Sequence, residues 1–308
     1  MDKNNILITI FTPSYNRGYI IENLYNSLKS QKIFNFEWLV IDDGSSDNTK
    51  DLFDKWVNEK NKFETRYYKV ENGGKPRAIN IGLELARGKY LFMVDSDDYI
   101  TDDAILKISQ WIREIDDKEN IIGVGAARAY PNGDYIKGVP PIINDEIGYI
   151  DATNLDRHKY NLDADMCEAY KIDIMKKFPF FVWPNEKFVP EEIVLNEIAL
   201  NGYKVRWHKD IIYICDYLDD GLTKGSWNLE RKNPMGYAML YNHKLKFTKG
   251  IKDRYYCCCQ HIALSIIGKE YRYIFESNDK LLNLLAIPCG IILSIRRKIQ
   301  FNREDIVR

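Results

Sequence analysis

The sequence predicts an α/β protein in which a doubly wound, mostly parallel sheet is flanked by helices and followed by a helical C-terminal extension. Three observations predict it. Short apolar runs alternate with amphipathic segments through the first hundred residues, polar clusters follow several of those runs directly, and from Pro234 onward the pattern is mostly helical.

Ile6 to Phe11 is a compact apolar run closed by Thr12-Pro13, and Ile20, Ile21, Leu24, Tyr25 and Leu28 are spaced to bury one helix face. Phe36 to Ile41 reads as the second strand, ending at Asp42-Asp43-Gly44. Ser46, Asp47 and Asn48 are N-cap types for a helix carrying Leu52, Phe53, Trp56 and Val57. Thr65 to Val70 is a third strand, Pro76 to Arg87 a helix stopped by Gly88, and Tyr90 to Val94 a fourth strand. Repeated strand and helix imply parallel pairing through right-handed crossovers, and such sheets bind ligands beyond the carboxyl ends of their strands. The clusters Thr12 to Arg17, Asp42 to Ser46 and Asp95 to Asp98 therefore belong on one edge.

Beyond residue 120, Ile121 to Tyr130 and Tyr135 to Val139 flank Pro131-Asn132-Gly133-Asp134, a hairpin signal. Glu191 to Leu200 reads as a helix behind Pro190, and Ile211 to Cys215 as a last strand running into the acidic turn Asp216 to Gly221. A domain boundary is expected near 230, separating residues 1–230, with halves meeting at about 120, from a helical extension over 231–308.

Composition excludes several classes. Among 308 residues, 44 Lys and Arg oppose 45 Asp and Glu, so no basic field exists to hold a nucleic acid backbone. An apolar fraction of 45% argues for a folded chain. The six cysteines show neither CxxC nor a disulfide framework, the N-terminus lacks the basic flank and length of a signal peptide, and a reduced cytoplasmic setting is expected. The apolar run Leu281 to Ile295 contains Asn283, Pro288 and Gly290 and is shorter than the roughly 20 residues of a spanning helix.

The chemistry concentrates in Asp95-Ser96-Asp97-Asp98, where three carboxylates leave a strand within four positions. Such a cluster is unfavourable unless neutralised, and hard oxygen ligands suit Mg²⁺ or Mn²⁺. The other reading is an acidic helix start, since Asp102 and Asp103 precede Ala104 to Ile112. An EF-hand counted from Asp95 would need glycine where Ile100 stands and glutamate where Leu106 stands, and Gly74-Lys75 is followed by Pro76 where a P-loop needs Ser or Thr. Asp43 beside Gly44 can accept from a base imide or from ribose hydroxyls, or can simply make a turn. Thr12, Pro13, Tyr15 and Arg17 add a fixed turn, a stacking ring and a cation, and Asn72, Lys75 and Arg77 add donors on a loop that opens a helix.

TPSYNR, VIDDGSSDNT, NGGKPRAINIGLELARGKY and VDSDD stand in an order that resembles the family 2 glycosyltransferases of the GT-A fold, the bacterial polysaccharide-synthesis type. A weaker likeness continues through Glu186 to Glu192 and Tyr217 to Lys224. The resemblance implies that residues 1–230 are the catalytic domain, with a nucleotide-sugar half and an acceptor half. It implies a nucleotide-sugar donor, usually of uridine diphosphate, with Pro13 and Tyr15 lining the uridine, Asp43 holding the base, and Asn72, Lys75 and Arg77 closing the site. Thr12, Arg17 and Ser96 join this donor-binding set, Asp95 lies near the ribose, and Asp97, with Asp95 and Asp98, takes a Mn²⁺ or Mg²⁺ ion. It further implies inverting hexosyl transfer to a glycan or lipid-linked glycan in surface polysaccharide synthesis, such as capsule or lipopolysaccharide.

Inversion needs a carboxylate to take the acceptor hydroxyl's proton, and Glu191-Glu192 at a helix start is the candidate pair. The family pattern is often Glu-Asp with the second residue as base, so Glu-Glu leaves the assignment open between the two. Trp183, Trp207 and Trp227 are candidates for acceptor stacking or for core, His208 reads as a structural residue, and Cys257-Cys258-Cys259 reads as buried helix packing. The stretch 281–298, ending in Arg296-Arg297-Lys298, is either an interfacial helix on an anionic membrane or a helix packed on protein. Two other functions share these letters: a sugar nucleotidyltransferase, which would want a glycine-rich cationic loop after the first strand, and a nucleotide-sugar-binding scaffold without turnover.

Overall fold

In the computed structural model, which describes residues 6–215 and 226–307, the alternation of the first hundred residues is realised strand by strand. It runs β1 (Ile8–Ser14), α1 (Glu22–Lys29), β2 (Phe36–Asp42), α2 (Thr49–Trp56), β3 (Glu64–Lys69), α3 (Lys75–Leu85) and β4 (Tyr90–Met93). β1 pairs in parallel with β2 and β4, and β2 with β3. Every residue of β1 and β2 is buried, as central parallel strands covered on both faces must be. Ile8 and Ile10 of β1 join Trp38 of β2, Leu24 and Tyr25 of α1 and Phe53 of α2 in one core cluster. Phe11 points the other way, toward α3, where a Cβ on Gly82 would come within 2.3 Å of its ring.

The second half of the sheet is mixed. β5 (Tyr99–Ile100) precedes α4 (Ala104–Ile115), and then come β6 (Ile121–Ala129), β7 (Tyr149–Ala152), β8 (Met166–Lys171), the short α5 (Ile172–Met175), α6 (Glu192–Leu200) and β9 (Lys204–Ile214). The strand order is β3-β2-β1-β4-β8-β6-β9-β5, with β7 on β9. β8 runs antiparallel to both β4 and β6, so the sheet is parallel through its first four strands and mixed beyond them.

The expected hairpin is not formed. Its turn exists, with the Tyr130 N–H donating to the Asp134 carbonyl at 2.9 Å, but Tyr135 to Val139 contributes only a single bridge from Tyr135 to Ala129. The reason is that β6 already bonds β8 on one edge and β9 on the other, leaving no edge to pair with.

By internal contacts the chain forms two units, residues 1–179 with 194–216 and residues 180–193 with 217–308. Thus 180–193 joins the second unit, which begins again at 217, where the sequence placed one boundary near 230. The described helices of the second unit are α7 (Ser226–Lys232), α8 (Pro234–Lys244), α9 (Ile251–Ile267) and α10 (Lys280–Val307). Cys257, Cys258 and Cys259 are buried in α9 beside Ile262 and Ala286, as packing residues, and all six cysteines are free. Among the described residues no helix is long and apolar enough to cross a membrane.

Candidate functional site

Because β1 to β4 are mutually parallel, their following loops share one edge of the sheet. The order 3-2-1-4 also means that connections leave β1 in opposite directions, which opens a crevice at its carboxyl end. The side chains there form three linked layers.

The first layer ties the loop after β1 to the loop after β2. Asn16 adopts a left-handed conformation at φ 52°, its N–H donates to Ser45 Oγ at 2.8 Å, and its Oδ1 accepts from the Ser46 N–H at 2.8 Å. Pro13 is buried, whereas Tyr15 is 50% exposed and presents its ring. Thr12 of the expected donor-binding set turns its side chain into the core. It is wholly buried, and its hydroxyl accepts from the Trp38 indole at 3.1 Å.

The second layer is the wall built by Asp43. Its carboxylate accepts from the Gly73 N–H at 2.7 Å, the Gly74 N–H at 2.8 Å and the Asn72 amide at 3.1 Å, so it anchors the loop before α3. Gly44 at φ +82° permits this approach, since a Cβ there would lie 3.0 Å from the Asn72 nitrogen. Gly44 thus admits the neighbouring loop. Arg77 reaches back to the Gly73 carbonyl at 2.5 Å, and Lys75 opens α3.

The third layer surrounds the acidic loop. Lys75 pairs with Asp95 at 2.8 Å, Arg17 with Asp97 at 3.5 Å, and Arg128 stands 3.5 Å from Asp95 and 3.6 Å from Asp98. Burial raises the Asp95 carboxyl, but Lys75 and Arg128 outweigh it and hold the group down at about 2. Asp97 is pushed up by burial and by Asp95, against the pull of Arg17. Burial and Asp95 drive Asp98 up to about 7, opposed by Arg128 and by the hydrogen bond from Tyr213. Ser96 is buried between them in sequence.

Two groups in this layer carry no signal in the linear sequence. Tyr213, fully buried at the end of β9, accepts from the Asp95 N–H at 2.9 Å and donates to Asp98 at 2.7 Å. Arg128 lies with its guanidinium 4.1 Å over the Tyr213 ring and donates to the Met166 carbonyl at 2.9 Å. Register shifts in β6 immediately before Arg128 re-aim its side chain, a known use of bulges.

These contacts correct the charge reasoning. The three aspartates meet three protein cations, so neutrality alone does not demand a metal. Asp98, the third member of the expected ligand trio, has a side chain that is 8% exposed and accepts from Tyr213. Among the described residues no three or more His, Cys, Asp or Glu converge as a closed metal cage. The remaining donors still fit a hard ion. Such an ion beside a diphosphate would need only one or two protein carboxylates, which Asp97 and Asp95 would supply.

Glu191 and Glu192 lie in the second unit, with Glu192 opening α6 and pairing with Lys244 at 3.3 Å. Glu186, in the same motif, is structural: its carboxylate accepts from the Met235 and Gly236 N–H groups at 2.8 Å and caps α8. Tyr217 to Lys224 lies outside the described residues. Trp207 is core, donating to the Ala152 carbonyl at 3.3 Å, and His208 is buried with its ring stacked on Trp111 at 4.0 Å. Trp183 packs on Tyr273, while Trp227 is 47% exposed.

A parallel-then-mixed sheet with an acidic loop at the tip of its fourth strand is the GT-A architecture, and similarity to known proteins agrees. Residues 9–177 match the description "Glycosyl transferase family 2", and the chain belongs to that family; it is a glycosyltransferase. It is 26% identical over 216 residues to glycosyltransferase GlyG of Streptococcus pneumoniae, a match covering 68% of this chain and 70% of that one. In fold it resembles TarS 1–349 of S. aureus solved with UDP-GlcNAc, at TM-score 0.60 and 18% identity over 97% of this chain and 92% of that one. It also resembles a Pyrobaculum calidifontis mannosyltransferase solved with GDP-Man and Mn²⁺, at TM-score 0.55 and 15% identity over 93% of this chain and 73% of that one.

Proposed function

We propose that this glycosyltransferase moves a hexose from a UDP-sugar, with inversion, to a hydroxyl of a glycan or lipid-linked glycan in bacterial surface polysaccharide synthesis. The observation that carries the reading is the meeting of Lys75 with Asp95 and Arg17 with Asp97 at the carboxyl edge of β1 and β4. A diphosphate arriving there finds two cations, each paired with a carboxylate. Exchange of partners would let Lys75 and Arg17 bind phosphate oxygens while Asp97, with Asp95, turns to a divalent ion. That ion supplies Lewis-acid neutralisation of the departing diphosphate. The exposed Tyr15 ring would stack on the base, with Pro13 lining the uridine and the Asp43-held loop as the wall. We assign residues 1–120 to the donor and 121–230 to the acceptor. The proton of the attacking hydroxyl passes to Glu191 or Glu192.

The fold of TarS, solved with UDP-GlcNAc, supports the donor class, and the Mn²⁺ in the mannosyltransferase supports the cofactor. A panel of nucleotide sugars assayed for hydrolysis and transfer, with Mn²⁺, Mg²⁺ or chelator, tests the reading. Metal-dependent turnover of a UDP-sugar that Asp97→Ala abolishes is the expected result. Glu191→Gln and Glu192→Gln are expected to separate, one losing transfer while both still bind UDP. Nucleotide binding without turnover would identify a scaffold, and pyrophosphate release from a nucleoside triphosphate a nucleotidyltransferase. A nucleotide-sugar donor suits a cytoplasmic enzyme, and a lipid-linked acceptor would bring it to the inner face of the membrane.

A further inference from the structure

Helix α10 turns a row of apolar side chains to solvent. Leu281 is 74% exposed, Leu285 65%, Ile292 67% and Ile295 55%, and Ile299 continues the row at 49%. Intervals of three, four and seven put these residues on one stripe, about 27 Å long at 1.5 Å per residue. An exposed apolar stripe of this length marks an interaction surface. The opposite stripe of α10 is occupied: a Cβ on Gly290 would come within 2.5 Å of Ile262 of α9, and buried Arg297 pairs with Glu230. The helix is therefore fixed to its own unit by one side and open on the other.

Charge decides what covers the open side. Between Lys280 and Phe301 the sequence has no Asp or Glu, and Lys280, Arg296 and Lys298 are exposed at the two ends of the stripe. A second copy pairing through this stripe would set cation against cation in either direction, Arg296 on Arg296 if parallel and Lys280 on Arg296 and Lys298 if antiparallel. An anionic surface meets both ends favourably, with the long basic side chains reaching headgroups while the aliphatic row enters the acyl boundary. We propose that the exposed face of α10 is a docking surface for an anionic phospholipid membrane, on which the helix lies flat. This deepens the membrane placement given above and rests on it for the purpose of docking, since a lipid-linked acceptor would be confined to that surface; the binding itself requires no turnover.

Flotation of the full chain with vesicles of phosphatidylcholine alone, or of phosphatidylcholine and phosphatidylglycerol in equal parts, tests it. The protein is expected to float with the phosphatidylglycerol vesicles and to stay behind with the others. Arg296→Gln with Lys298→Gln is expected to weaken partition about 30-fold, the sum of two basic contacts. Ile292→Gln with Ile295→Gln is expected to abolish flotation. All four sites are exposed, so melting temperature and lipid-free donor hydrolysis serve as folding controls and are expected to be unchanged. Failure of the wild type to float, equal flotation on both vesicles, or flotation of the variants like wild type overturns the proposal. So does a dimer in sedimentation that Ile292→Gln with Ile295→Gln dissolves, which would assign the stripe to a second copy. Absence of donor hydrolysis in a wild type that floats would count against the catalytic reading alone.

Discussion

Tyr213→Phe removes one hydroxyl from a buried position and should unsettle the acidic loop without substituting any proposed ligand. The hydroxyl accepts from the Asp95 N–H and donates to Asp98, so both bonds disappear together. Leaving a buried N–H unmade costs about 1–3 kcal/mol, and a hydrogen bond to a charged group is worth about 1.5–3 kcal/mol. Arg128, 3.6 Å from Asp98, remains to take up part of the second loss. The net expectation is a destabilisation of about 2–4 kcal/mol, read as a lower urea midpoint at unchanged slope. Because the Asp95 backbone is held by the same hydroxyl, kcat for donor hydrolysis should fall by about tenfold to a hundredfold. Tyr68→Phe is the control, since that hydroxyl contacts Arg66 at an exposed site, and it should cost under about 0.5 kcal/mol. A Tyr213→Phe protein with the wild-type urea midpoint and wild-type kcat would refute the reasoning.

Other expectations concern charge in the core. Glu37 is wholly buried in β2, where it accepts from Thr9 at 2.7 Å and from Arg66 at 2.9 Å, so Glu37→Ala strands the Arg66 guanidinium and should cost about 3–5 kcal/mol in a urea titration. His208 is held down at about 4 by burial, so the folded protein keeps it neutral while the unfolded chain takes up a proton below about pH 6.5. Its contribution to stability is present above that pH and is lost as pH falls through about 4. Acidification from about pH 7 to about pH 4 should accordingly cost wild type about 3 kcal/mol more than His208→Gln, measured as the difference between their urea midpoints.

The legible and illegible parts of this fold have physical causes. Buried parallel strands are near-continuous apolar runs, which is why β1, β2 and β4 and the loops behind them can be read directly. β3 is legible by its β-branched and aromatic residues. β8 is different: Met166–Lys171 buries Cys167 and Ala169 behind small or weakly apolar letters, and nothing in the sequence proposed it. β9 begins at Lys204, seven residues before its apolar stretch, because the cation Arg206 and the neutral ring of His208 are buried there by partners elsewhere in the chain. The hairpin after β6 failed because a turn signal says nothing about edges already taken. In the site, the acidic loop and the cations Arg17 and Lys75 are legible, but Arg128 and Tyr213 are not, since they reach Asp98 from far along the chain. A local cluster of carboxylates says nothing of the Arg128 that meets it in the fold.

The most direct measurement is calorimetric titration of UDP into wild type and Asp97→Ala, each with and without Mn²⁺. Mn²⁺ is expected to tighten UDP binding to wild type and to leave binding to Asp97→Ala unchanged. Equal Mn²⁺ enhancement in both proteins, or UDP affinity indifferent to Mn²⁺ in wild type, would contradict it.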